Sequence, residues 1–500
     1  MRILTANQIR EVERKCFYAY STEAELMLRA GTACYQRIVK KYGDSIRNSR
    51  VSVLCGNGKN AGDGFVIAGL LCSFGANAKI ILCHDAPTIP EPLMYYRQAM
   101  DRGVEVLNYS ADALDCDYVV DCMFGIGFHG QPRPPFDTIF SQLRDSRATV
   151  IAVDTPSGTD STTGQVCHNC VRADYTIAIS TLKYAHILPP ANSYCGEVDV
   201  ADIGIPRDCY DVCKVNTIEK RDILLPCRNT NDNKGSYGKM LNICGSYKMP
   251  GAAVFASLAG IRTGAGLVKV DTPRDAYPLV ECHTCQPVFN PLPQNTDGTL
   301  SADAIAHIKD DIQWADSVVL GCGIGLNDDT KAVTEYVLQN SKSPIILDAD
   351  GINCIIESID ILKEVKAPVV LTPHPGEMSR LMSTTVAEVQ QDRIGCAKKL
   401  ADKYGVVVVL KGANTVITDG EDVFVNTTGN PGMAMGGTGD MLAGMIGGLV
   451  AQGVAPFDAA KYAVYLHGLC GDIAVSELSM RGITVFDMID RLGALMSDFE

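Results

Sequence analysis

Short runs of β-branched and other apolar residues recur along most of the chain, each followed by a stretch with helical spacing. In the first half the runs cover residues 51–55, 78–83, 117–121, 149–153 and 175–180. Alternation of this kind predicts βαβ crossovers on a mostly parallel sheet. Ahead of them, the segment starting at Thr5 and the segment 22–42 carry apolar residues every three to four positions. They predict helices, the second capped by Ser21 or Thr22, that cover a sheet face or make a dimer contact.

Between residues 205 and 233 the periodicity is lost, and Pro206, Pro226, Arg228, Asn229, Asn231, Asp232 and Asn233 gather there. This stretch reads as a linker. A second alternation follows at 239–244, 267–270, 317–320, 344–347, 368–371 and 405–410. Runs 415–418 and 423–426, separated by Asp419 and Gly420, predict a hairpin. The end reads as helical from about residue 439, through a small-residue segment at 441–453, to 477. No repeat relates the two halves. The pattern implies an α/β protein with two domains, one on each side of this linker.

Composition supports this division. A chain of 500 residues exceeds what one core usually organises. With 46% hydrophobic and 20% charged residues, it is ordinary globular material. A net charge of -14 with no basic stripe argues against a nucleic-acid partner. The first residues lack a signal-like apolar core, and no apolar stretch reaches the ~20 residues of a membrane span. A cytoplasmic protein without a membrane partner is expected. The twenty cysteines are scattered, as buried thiols would be. Two Cys-His-x-Cys clusters, Cys167 to Cys170 and Cys282 to Cys285, resemble halves of a zinc site. They lie in different expected domains, so only shared tetrahedral geometry would make them one.

Candidate chemistry in the first half collects at carboxyl ends of strands, where ligands settle in open parallel sheets. Gly56-Asn-Gly-Lys-Asn-Ala-Gly-Asp-Gly64 joins a strand to a helix, where backbone amides suit an anion. Its Gly56-x-Gly58-x-x-Ala61 spacing, with Asp85 downstream, is a weak dinucleotide fingerprint. Asn60 and Asp63 add polar side chains where that fingerprint relies on glycine. Asp121 precedes Gly125-Ile-Gly-Phe-His-Gly130, and Asp154 begins Asp-Thr-Pro-Ser157-Gly. Asn60, Asp121, Asp154 and Ser157 form a set of hard oxygen donors fit to hold a cation or move a proton. Lys183 follows the next strand, as a phosphate contact or a solvated side chain.

These motifs, in this order, resemble the NAD(P)H-hydrate epimerases over residues 1 to about 207. The resemblance implies a Rossmann-like αβα sandwich that interconverts the R and S forms of hydrated NADH and NADPH. It implies that Lys59, Asn60, Ala61, Gly62 and Asp63 hold the hydrate with Gly125, Ile126, Gly127, Phe128, His129, Gly130, Gln131 and Asp154. Asn60, Asp121 and Ser157 would ligate a potassium ion, and Asp154 is the only obvious base. Lys59 and Ala61 depart from the family's common Asn-Asn-Gly-Gly-Asp, which bears on substrate affinity.

The second half carries the stronger chemical signal. Asn430-Pro-Gly-Met-Ala-Met-Gly-Gly-Thr-Gly-Asp440 opens a long helix. Glycines at a helix start expose successive amides that cradle a transferring phosphoryl group. Asp440 would accept the proton of an attacking hydroxyl, against a bland capping role. Lys411-Gly-Ala-Asn-Thr415 follows an apolar strand, as do Thr372-Pro-His374-Pro-Gly-Glu377 and Gly321-Cys-Gly-Ile-Gly325.

With Lys234-Gly-Ser-Tyr-Gly238 and Met249-Pro-Gly-Ala252, these motifs resemble the ribokinase-like ADP-dependent NAD(P)H-hydrate dehydratases over residues 226–500, and the two resemblances together imply domains at 1–207 and 226–500 with a linker at 208–225. The resemblance implies a ribokinase-like α/β domain that binds ADP or ATP through Lys411, Gly412, Ala413, Asn414, Thr415 and Gly439. Ala252, Gly323, His374 and Asp440 would bind the S hydrate. The substrate hydroxyl would be phosphorylated and then leave as phosphate, with Asp440 as base and magnesium, of unassigned ligands, assisting. A homo-oligomer is also expected. Two competing readings remain at this point: a small-alcohol kinase with a regulatory N-terminal domain, and a non-catalytic dinucleotide sensor.

Overall fold

The apolar runs of the first half pair side by side in a computed structural model that describes residues 1–212 and 214–500. The chain divides into two units, 1–216 and 217–500. In the first, seven parallel strands lie in the order Glu105–Asn108, Asn77–Leu82, Arg50–Cys55, Tyr118–Cys122, Thr149–Val153, Tyr175–Ile179, Glu197–Ala201. The chain moves outward from Arg50–Cys55 to one edge, then returns to its other side. A crevice for ligands opens at the carboxyl ends where the order reverses. The two edge strands are absent from the sequence reading because partial exposure dilutes their apolar pattern.

Thr22, rather than Ser21, caps helix Glu23–Tyr42 by accepting the Glu25 amide hydrogen. Met27, Cys34 and Ile38 of this helix share a core with Val53, Val120 and Ile151, so it covers a sheet face. Helix Ala6–Ala19 packs Ile9, Val12 and Cys16 against Leu26, Ala30, Ile203 and Ile205.

Nine strands of a ten-stranded sheet lie wholly in the second unit, in the order Val423–Val425, Val416–Thr418, Val407–Leu410, Val369–Leu371, Ile345–Leu347, Ser317–Leu320, Lys239–Ile243, Leu267–Pro273, Val288–Leu292. All pair in parallel except the predicted hairpin. Val288–Leu292 escapes the sequence reading because Asn290 and Pro291 interrupt it. The end, expected to be helical, consists of helices Thr438–Ala451 and Pro456–Glu477, followed by Val485–Met496. Helix Thr438–Ala451 lies against Pro250–Arg262 so closely that a Cβ on Gly444 would stand 2.1 Å from the Ala256 carbonyl oxygen.

The stretch expected as a linker, 208–225, is more ordered than its composition suggests. It contains strand Val215–Thr217 and the turn Lys220–Asp222. Ile218 and Ile223 anchor it by burial in the second unit's core. The nineteen described cysteines are free thiols. Neither Cys-His-x-Cys cluster joins a group of three or more metal-ligating side chains among the described residues. Cys167 and Cys170 are buried in the first unit, whereas Cys282 and Cys285 are exposed in the second. No helix of the described residues is long and apolar enough to cross a membrane.

Candidate functional site

Helix Lys59–Phe74 begins just beyond strand Arg50–Cys55, so its first turn faces the reversal point. Lys59, Asn60 and Asp63 line a cavity of about 420 Å³ there, with Gly125, Ile126, Gly127, Phe128 and Asp154. Ala61 belongs to the core and Gly62 abuts Met27, so these two face protein rather than the cavity. His129, Gly130 and Gln131 are exposed and lie outside the cavity wall. The Gln131 carboxamide oxygen instead accepts the His168 amide hydrogen at 2.9 Å. Lys59 is held at the rim by Glu23, 2.5 Å away.

Asp154 adopts a φ of 69°, a left-handed conformation that non-glycine residues hold only when their surroundings enforce it. His186 is one of the groups that hold it. Its Nδ1 accepts the Lys183 amide hydrogen at 2.9 Å, so its Nε2 donates to the Asp154 carbonyl at 2.7 Å. Burial, aided by the Lys183 charge, lowers the His186 pKa to about 4 and keeps the ring neutral. Lys183 is not the solvated residue the sequence suggested. It is 1% exposed, and its Nζ lies 2.5 Å from Asp154 Oδ1.

The expected cation ligands assemble beside this pair. Asp121 is fully buried, accepting from the Ser157 hydroxyl at 2.7 Å and the Ser157 amide at 2.8 Å. Burial raises its pKa to about 6 despite these bonds, and no basic side chain offsets the charge. Asn60 Nδ2 donates to the carbonyls of Phe124 at 3.0 Å and Val153 at 3.2 Å. Turning that amide over would present its oxygen to the same spot. The cluster of carboxylate, hydroxyl, carboxamide and carbonyl oxygens fits a hard monovalent or divalent cation.

In the second unit, Gly437 begins helix Thr438–Ala451 with a φ of 98°, and a Cβ there would meet the Phe255 ring at 2.6 Å. The helix start is open, since Gly436 is exposed and residues 437–440 are partly so. Asp440 shares its surroundings with Cys322 and Asp348, their ligand atoms all lying within 4.8 Å of one another. Burial, reinforced by the Asp348 charge, lifts the Asp440 pKa to about 7.

Asp348 is a site residue that the sequence reading missed. Lys411 Nζ stands 2.5 Å from its Oδ1, and the Thr372 hydroxyl donates to the same oxygen at 2.6 Å. Burial works against its charge, but Lys411, Thr372 and Cys322 outweigh it and lower its pKa. Burial likewise opposes the Lys411 charge, which Asp348 and Glu377 more than restore, raising its pKa. Its position at the end of strand Ile345–Leu347 was the signal available.

The remaining expected residues are placed as follows. Gly323 and Ala252 touch, a Cβ on the glycine falling 2.7 Å from that of Ala252. His374 caps helix Pro375–Leu381, its Nδ1 accepting the Gly376 amide hydrogen at 2.9 Å, and its ring is half exposed. In the loop from Lys411 through Gly412, Ala413 and Asn414 to Thr415, the Thr415 hydroxyl donates to the Gly412 carbonyl at 3.0 Å. Buried Arg393, also absent from the sequence reading, donates to the Leu410 and Lys411 carbonyls at 3.0 and 3.1 Å. A Cβ on Gly439 would lie 3.3 Å from Lys411 Nζ, which puts the loop beside the helix start.

Comparison with known proteins gives two family matches: NAD(P)H-hydrate dehydratase over residues 240–492, and YjeF-related protein N-terminus over residues 23–185. A relative from Moorella thermoacetica, described as a bifunctional NAD(P)H-hydrate repair enzyme, is 33% identical over 100% of this chain and 97% of its own. One from Coxiella burnetii with the same description is 34% identical over 99% and 100%. Among solved structures, an ADP/ATP-dependent NAD(P)H-hydrate dehydratase from Bacillus subtilis, co-crystallised with ATP and Mg2+, is 31% identical with a TM-score of 0.50. It covers 57% of this chain and 99% of its own. A ribokinase-like superfamily protein from Enterococcus faecalis gives 26% identity and a TM-score of 0.51 over 57% and 96%.

Proposed function

This chain belongs to the bifunctional NAD(P)H-hydrate repair enzymes, and from that premise we propose how its two units divide the work. The first epimerises the R and S hydrates, and the second dehydrates the S hydrate to NAD(P)H using an adenine nucleotide. The observation that carries the dehydratase assignment is Asp440, a carboxylate with a pKa near 7 at an open glycine-lined helix start beside Lys411.

In the second unit, Asp440 removes the proton of the substrate hydroxyl, which attacks the terminal phosphorus of the nucleotide. ADP would leave as AMP; the ring nitrogen's electron pair then expels phosphate as the carbon–oxygen bond breaks, and loss of a proton from the adjacent ring carbon restores the dihydronicotinamide. Amides of Gly437 to Asp440 stabilise the transferring group. Lys411 to Thr415 and Gly439 hold the nucleotide, and Ala252, Gly323 and His374 hold the hydrate. Asp348 is already engaged by Lys411 and Cys322 is a soft ligand, so magnesium would ride mainly on nucleotide phosphates, neutralising their charge.

In the first unit, the hydrate occupies the cavity at Asp154, with Lys59, Asn60, Asp63 and Gly125 to Phe128 as its walls. Potassium would be held by Asn60, Asp121 and Ser157, supplying the positive charge that buried Asp121 lacks. Asp154 acts as base. The same reading expects a cytoplasmic enzyme that self-associates, and Tyr18, 95% exposed, offers apolar surface for it.

The test incubates purified protein with mixed hydrate epimers and either ADP or ATP, following NADH absorbance and phosphate. Complete conversion with equimolar phosphate is expected. A stable phosphorylated product would indicate the small-alcohol kinase instead, which family membership does not favour.

A further inference from the structure

One side chain in the first unit breaks the pattern that its helix otherwise keeps. Helix Ala6–Ala19 buries Ile9, Val12 and Cys16, and Glu13 falls on that stripe, four residues beyond Ile9 and three before Cys16. A carboxylate in such a position loses hydration and needs a reason to be there. The reason is the cavity, whose wall includes Glu13 together with Asp63, Asp154 and Lys183. The helix that carries it lies outside the strand-end loops that supply the other polar groups.

The charges facing Glu13 come from every neighbouring element: Asp154 from the strand end, Lys183 beyond the next strand, Lys59 from the glycine-rich turn, and Glu23 from the following helix. Burial comes first and Asp154 second in raising its pKa, against the two lysines, and no hydrogen bond contributes. Asp63 is raised well above the carboxylate range by burial, Asp154 and Glu13 in turn. Asp154 is set apart by its partner, the Lys183 Nζ lying 2.5 Å from its Oδ1. The cavity thus holds one carboxyl paired with a fixed cation, Asp154, and two that are not, Glu13 and Asp63.

Epimerisation has a matching requirement. The stereocentre is the ring carbon bonded to both hydroxyl and nitrogen, and its faces are exchanged when the carbon–oxygen bond breaks and re-forms from the other side. We propose that Glu13 is a second catalytic residue of the epimerisation, protonating the departing hydroxyl while Asp154 takes a proton from the entering water. The nitrogen lone pair forms the carbon–nitrogen double bond as the carbon–oxygen bond breaks, and the hydroxyl leaves as water with the proton from Glu13. Solvent water then adds to the opposite face, its oxygen bonding to carbon and its proton passing to Asp154. The reverse reaction exchanges the roles, and solvent resets both carboxyls.

This rests on the first unit being the epimerase, and the test separates the two claims. Full-length protein is given the R hydrate without nucleotide, in oxygen-labelled water, and appearance of the S form and of label is followed across pH. Wild-type should equilibrate the epimers, incorporate label at the hydroxyl, and slow as pH rises above the carboxylate range, because Glu13 loses its proton. Glu13→Gln should slow equilibration roughly 10²-fold at saturating hydrate, change KM by less than about 3-fold, and lose that alkaline limb. Its dehydration of the S form with ADP should be unchanged. Glu13→Asp, which keeps acidity but shortens the reach, should recover part of the rate and the limb, and it serves if the glutamine variant fails to fold. Wild-type rate in Glu13→Gln, or epimerisation without label, overturns the proposal. Wild-type protein no faster than the spontaneous rate overturns the epimerase assignment itself.

Discussion

Each unit sets a lysine 2.5 Å from an aspartate at the carboxyl edge of its sheet, yet the two pairs serve opposite ends. In the first, Lys183 binds Asp154, the residue proposed to do the chemistry. In the second, Lys411 binds Asp348, and the reacting residue, Asp440, is a neighbour left without a cation of its own. Asp348 contributes to Asp440 a negative field, one reason its pKa reaches about 7. The Lys411 cation helps to keep Asp348 ionised. Giving that cation to a neighbour keeps a carboxylate basic.

The comparison breaks most directly at Asp440. Asp440→Asn should reduce dehydration by roughly 10³-fold while leaving epimer equilibration intact. In the wild-type enzyme, dehydration should fall as pH drops below about 7, because Asp440 becomes protonated and no longer accepts the hydroxyl proton. A flat profile from pH 6 to 8 would remove Asp440 as the base.

Asp154→Asn should lower epimerisation by roughly 10²-fold. It also strands the buried Lys183 charge, so the first unit should lose about 3–5 kcal/mol of stability in denaturant unfolding. Equal melting of variant and wild-type would mean that the pair is not buried in solution. The counterpart, Asp348→Asn, should weaken nucleotide binding roughly 10-fold by releasing Lys411. It should also move the acid limb of dehydration to lower pH, since Asp440 loses a negative neighbour and gains an unmatched lysine. An unmoved limb would uncouple the two aspartates. The smallest effect belongs to Lys59→Gly. Its ion pair with Glu23 lies at the exposed rim, and epimerisation should stay within about 3-fold of wild-type.

How much of this was visible in the chain depends on what each residue competes with. Asn60, Asp121, Asp154 and Ser157 stand at the ends of strongly apolar strands, where a polar residue has no bland explanation. Their convergence was therefore legible. Asp348 stands at the same kind of strand end, but only Gly351 follows it where 56–64 and 125–130 carry several glycines, and it was passed over. Glu13 was invisible for a different reason. An acidic residue in an amphipathic helix ordinarily faces water, and only the cavity beside it distinguishes this one. His186 and Lys183 depend on a positive-φ turn at Asp154 that sequence pattern does not encode. The ordered 208–225 stretch misled through composition, because Ile218 and Ile223 are anchors too sparse to register as periodic.

The crossing of helices Thr438–Ala451 and Pro250–Arg262 at Gly444 has a consequence for how the dehydratase evolves and how it is damaged. The aim of Asp440 is set one turn away, by backbone meeting backbone with no side chain to cushion it. A single added methyl group at Gly444 would lever the whole rod outward and misdirect a carboxylate it never touches. Tolerance to mutation in this unit should accordingly be governed by a dry seam between two helices as strictly as by any group that meets the nucleotide.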